Sequence, residues 1–149
     1  MKRQLLFSSL IIVTLFIITG CGKDDPAPAK TKTELITQGS WKFDNATASG
    51  IGDISGAINA CLKDNIAVFT STGSLTIDES ANVCSPTYAG NYTWEFQSNE
   101  TILHLNAPIF TGGSTDFTIV SITETNLVLS QVMTVAPYPP TTVEVTFKH

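Results

Sequence analysis

Few residues in this chain have the chemistry to react, and their spacing argues against catalysis. His104 and His149 are far apart, and no cysteine stands near either at metal-ligand spacing, so no transition-metal site is expected. His104 lies in an alternating stretch with Ile102 and Asn106, opposite Leu103 and Leu105, which suits a surface or rim position. Asp78-Glu79 is an adjacent acidic pair, yet chain neighbours rarely converge on one substrate, and a glycosidase needs two carboxyls opposed across a cleft. There is no Gly-x-Ser-x-Gly elbow and no phosphate loop. Cys61 and Cys84 are spaced nothing like a Cys-x-x-Cys redox pair. The expectation is a non-enzymatic protein without a metal or other cofactor.

The third cysteine points to a different chemistry. Lys2-Arg3 followed by the apolar run Leu5 to Ile18 has the layout of a secretory signal, and at about 14–16 residues the run is short of the roughly 20 that span a bilayer. Ile18-Thr19-Gly20-Cys21 then resembles the lipobox of bacterial lipoproteins. That resemblance implies removal of residues 1–20, acylation of Cys21 (palmitate among the acyl groups) and attachment to a membrane through the N-terminal lipid. With Cys21 taken by lipid and the chain exported, Cys61 and Cys84 remain as an even pair in an oxidising compartment. A disulfide between them would contribute about 3–4 kcal/mol on the chain-entropy model.

Residues 21–33 read as a lipidated tether, since Pro26-Ala27-Pro28-Ala29-Lys30 cannot bury apolar area and favours an extended spacer. Lys23-Asp24-Asp25 also resembles the charged tag that sends some lipoproteins to the outer face of the outer membrane; the other reading is a solvated linker. Outer-membrane anchoring, with exposure on the cell surface, is the expected location. Beyond the signal, six Lys/Arg face thirteen Asp/Glu, a net charge near −7. Such a surface repels nucleic acid, and no basic patch overrides it.

The remaining residues, 34–149, must position whatever the protein binds. Thr31 and Glu34 have capping-box spacing before a two-turn helix that Gly39 would stop. From Trp41 the apolar period switches to two. Strands are expected at Trp41–Phe43, Ile66–Phe69, Ser74–Ile77, Tyr92–Phe96, Ile102–Leu105, Phe117–Ile122, Leu127–Gln131 and Val143–Phe147. Residues 45–60 read as a long flexible connection with a helical turn near Ala57–Ala60, and Val132 to Pro140 as a Pro-rich loop that is a lid, a contact for a partner protein or an ordinary rigid connection. Short links favour antiparallel neighbours, and eight such strands can close into an up-and-down barrel without exposed edges.

Gly39-Ser40-Trp41 after a short helix resembles the Gly-x-Trp signature that opens the first lipocalin strand. Cys61-Leu62-Lys63-Asp64-Asn65, Phe69 with Gly73, Cys84, Gly90-Asn91-Tyr92-Thr93-Trp94 and Leu127-Val128-Leu129 follow in an order similar to the lipocalin-like domain of bacterial lipoproteins. The resemblance implies an all-β, eight-stranded antiparallel barrel with one short N-terminal helix, and little about activity. A Greek-key sandwich is the other fold, disfavoured because Cys61 and Cys84 bracket one hairpin. Trp41, Phe43, Phe69, Tyr92, Trp94, Phe96, Phe117 and Phe147 would converge inside the barrel. They either fill its core or line a pocket for a small hydrophobic ligand. The two functional readings are accordingly a ligand-binding cup and a solid barrel that contacts an envelope protein.

Overall fold

The structure is a computed structural model that describes residues 28–149. The signal segment, Cys21 and Lys23-Asp24-Asp25 lie outside the described residues. Helix α1 (Lys32–Ile36) is capped by Thr31 and Glu34 as a full capping box, so Thr31, Lys32 and Thr33 of the expected tether belong to the folded part. Gly39 is not the helix stop, since the helix ends at Ile36 with Thr37 as its C-cap, and Gly39 has no positive φ. Instead it makes room: a Cβ there would stand 3.0 Å from His149 Nδ1.

Nine strands follow: β1 (Ser40–Ala48), the two-residue β2 (Gly52–Asp53), β3 (Ile66–Phe69), β4 (Ser74–Asp78), β5 (Gly90–Gln97), β6 (Ile102–Leu105), β7 (Asp116–Ile122), β8 (Asn126–Met133) and β9 (Thr141–Lys148). All neighbouring pairs are antiparallel. The strands β1 and β3 to β9 follow one another around the sheet, and pairing of β9 with β1 closes it into an eight-stranded up-and-down barrel. Closure leaves only β2 as an appendage on the far half of β1.

Strand β5 shows why the alternation reads so clearly. Tyr92, Trp94 and Phe96 turn inward, while Asn91, Thr93 and Glu95 are exposed. Strand β1 runs farther than the sequence suggests, through residues assigned there to a flexible connection. Its register shifts between Phe43 and Asn45, a bulge that moves the inward set from Trp41 and Phe43 to Ala46 and Ala48. Those alanines are small enough for Ile54 and Val143 to pack against them as a second cluster. A 3-10 turn (Ser55–Ala57) and helix α2 (Ala60–Lys63) then occupy the rest of the connection.

The barrel has two unlike ends. Tight turns at 70–73, 98–101 and 123–125 gather at one, where α1 lies across the opening. Lys32 Nζ donates to Glu100 O, Lys30 pairs with Glu124 at 2.8 Å, and Trp41 Nε1 donates to Ile36 O at 2.8 Å. With Ile36 fully buried, that end is sealed. The long connections, 49–65, 79–89, 106–115 and 134–140, all gather at the other end. All strand pairs and both apolar clusters fall within residues 30–149, so this part carries its own core.

Candidate functional site

The half of the barrel near the tight turns is packed solid. Phe69 meets Trp94 edge-on with ring centroids 5.5 Å apart, and Trp94 meets Phe96 at 5.1 Å. Leu75, Leu103 and Leu127 fill the space between them. Trp94 Nε1 donates to Thr70 O and Ser74 O, which ties the core to the β3–β4 turn.

Toward the long connections the packing opens into a cavity of about 530 Å³. Trp41, Phe117, Leu129 and Phe147 line it from the strands, with Ala67 and Ile77 beside them. All four long connections contribute its upper wall, for example through Ile58, Val83, Phe110 and Val135. Its size falls within the range of small-molecule sites, roughly 300–1,000 Å³, and its wall has their usual makeup of apolar side chains with a few polar ones.

Of the aromatic residues expected to converge, Trp41, Phe43, Phe117 and Phe147 line this cavity, whereas Phe69, Tyr92, Trp94 and Phe96 do not. Phe69 and Trp94 belong to the solid half, and Tyr92 spends its hydroxyl on Tyr88 O at 2.8 Å. Sequence reasoning passed over Ala67, Leu129, Gln131 and Phe110 as lining residues. For Phe69 and Phe117 loop length was the available signal, because Phe69 stands beside a tight turn and Phe117 beside a long connection.

The rim is held by covalent and polar ties. Cys61 and Cys84 form a disulfide (Cα–Cα 5.2 Å) that joins the first two long connections across the open end of the β3–β4 hairpin. Glu79, only 3% exposed, turns inward from its exposed neighbour Asp78 and organises the 79–89 connection. Its Oε2 accepts from the Thr87 hydroxyl and its Oε1 from the Tyr88 N–H, both at 2.6 Å. These hydrogen bonds, the Thr87 one foremost, hold its carboxyl below the ordinary carboxylate pKa despite burial. The Tyr88 hydroxyl bonds Thr111 Oγ1 and so links two rim loops. In the last long connection, Val135 and Tyr138 pack against the Ile54 cluster while Thr134, Val135 and Ala136 line the cavity.

Chemical groups are sparse. His104 pairs with Asp116 on the outer surface, and among the described residues no group of three His, Cys, Asp or Glu could hold a metal ion. Two buried polar atoms on cavity-lining residues have no protein partner: Gln131 Nε2 and Asn65 Oδ1.

A closed antiparallel barrel, sealed at one end and hollow at the other, has the shape of a small cup. A family model for the lipocalin-like domain matches residues 37–129, and the chain belongs to that family. The match runs from the start of β1 into β8; β9, which closes the barrel, lies beyond it. No curated protein matches the chain.

Proposed function

We propose that this protein is a lipid-anchored envelope lipoprotein whose barrel binds a small hydrophobic ligand. The observation that carries the reading is the 530 Å³ cavity with its largely apolar wall, open on the side of the long connections. A barrel whose task was only to contact an envelope protein has no need of that void, so the cavity favours ligand binding over the solid interaction module. The lipocalin-like fold is a binding fold, and the wall offers no constellation for catalysis.

The anchoring half of the proposal rests on Lys2-Arg3, the apolar run and Ile18-Thr19-Gly20-Cys21. Acylated Cys21 would hold the protein at the outer membrane, with Lys23-Asp24-Asp25 favouring the cell surface. Thr31 enters the barrel at the sealed end, opposite the mouth. A tether of about ten residues reaches at most about 35 Å. It would therefore draw the sealed end toward the membrane and leave the mouth toward water, so the ligand is captured from the aqueous side. Native mass spectrometry of the domain released from its own envelope tests the binding reading: a co-purifying small molecule supports it, and repeated absence refutes it. Metabolic labelling with palmitate, expected for the native chain and lost in Cys21→Ser, tests the anchor.

A further inference from the structure

We propose that the cavity selects an uncharged molecule with an apolar body and a hydrogen-bond-accepting oxygen, held by Nε2 of Gln131. This rests on the ligand-binding reading above and specifies its chemistry. Two observations carry it.

The first is the wall itself, which contains no Asp, Glu, Lys, Arg or His. A carboxylate or ammonium brought into it would lose hydration without gaining a counter-charge. The protein's acidic surface adds to the discrimination against anions.

The second is Gln131. Strand alternation places it on the inward face of β8 between Leu129 and Met133, which also line the cavity. It is 8% exposed, at a position where leucine or methionine would satisfy packing alone. Its Oε1 accepts from the Ser114 N–H at 2.8 Å. That bond fixes which end of the carboxamide is oxygen, because an amide N–H has nothing to donate to at an NH₂ group. Nε2 is therefore a donor, shielded from solvent and without a protein acceptor. Bonding to Ser114 accounts for only half of the side chain. A buried donor left unmet destabilises a fold, and a carbonyl, ether or hydroxyl oxygen of a ligand would meet it. Asn65, whose carboxamide is pinned by no hydrogen bond through its Oδ1, can adapt to a second polar group on the same molecule.

The test uses residues 28–149 and displacement of the neutral dye N-phenyl-1-naphthylamine by three matched probes: naphthalene, 2-acetylnaphthalene and 2-naphthoate. The ketone is expected to bind about tenfold tighter than naphthalene, the advantage of one well-placed buried hydrogen bond, and naphthoate weakest. Gln131→Met keeps the volume and removes the donor, so it should abolish the ketone's advantage while leaving naphthalene within about twofold. Gln131→Leu also lacks the donor; it decides the matter if the methionine variant loses its near-ultraviolet dichroism. Equal affinity for ketone and naphthalene, an advantage that survives both substitutions, or naphthoate binding tightest would each overturn the proposal while leaving the cup reading intact. Failure of the dye and all three probes to bind would overturn both.

Discussion

Removal of the disulfide by the double substitution Cys61→Ala, Cys84→Ala should lower the thermal midpoint by about 10–17 °C. The bridge spans a sequence separation of 23 residues. On the chain-entropy model a loop of that length restricts the unfolded state by about 3.4 kcal/mol. For a domain of this size, each kcal/mol moves the midpoint by roughly 3–5 °C. Using two alanines avoids leaving a free thiol and removes little packing, so the change isolates the cross-link. The assay is a calorimetric or dichroism melt under oxidising conditions, with wild type in excess reductant as the companion. Reduced wild type and the double variant should melt together, and reductant should leave the variant unmoved. Since both cysteines line the cavity beside Leu62 and Val83, dye affinity should also fall as the rim loosens. A midpoint shift under about 3 °C would refute the reasoning, because the bridge would then not be restricting the unfolded chain.

The polar ties give further outcomes. Because the Glu79 carboxyl is held below its ordinary value, its contribution is fully present above about pH 4.5 and is lost as pH falls through the lower folded value. The Tyr88 amide resonance should shift between pH 6 and 3 in wild type and stay still in Glu79→Gln, as read by ¹H–¹⁵N spectra. Trp41→Phe removes the indole donor to Ile36 O and leaves that buried carbonyl unmet, at a cost of about 2–3 kcal/mol in urea unfolding. Gly39→Ala presses a Cβ onto the His149 ring and should cost about 0.5–1 kcal/mol, a loss largely cancelled in the His149→Ala background.

The strands were legible because each buries one face, so period-two alternation survives in the residues themselves; β5 is the plainest instance. The capping box of α1 and the pairing of Cys61 with Cys84 were equally local or countable. The far half of β1 was not legible, since Asn45-Ala46-Thr47-Ala48 has weak strand propensity and is held by pairing with β9 across the chain. The bulge before Asn45 also reverses which residues face inward, which alternation alone cannot reveal. The cavity was hidden for another reason. Phe69 and Phe117 carry the same inward pattern, yet Phe69 sits beside a tight turn in the packed half and Phe117 beside a long connection at the mouth. Gln131 shares the inward parity of Leu127 and Leu129, but a polar residue near a strand end reads as solvent-facing until the barrel is closed around it.

The central claim is that the hollow half of the barrel holds a small hydrophobic molecule, and a fluorescence titration of residues 28–149 with N-phenyl-1-naphthylamine tests it most directly. Ala67 lines the cavity from β3, so Ala67→Phe should fill the void while leaving the fold in place. Wild type should bind the dye saturably and one-to-one, and Ala67→Phe at least about tenfold more weakly at an unchanged melting temperature. Absence of saturable binding, or equal binding by the two proteins, would contradict the claim.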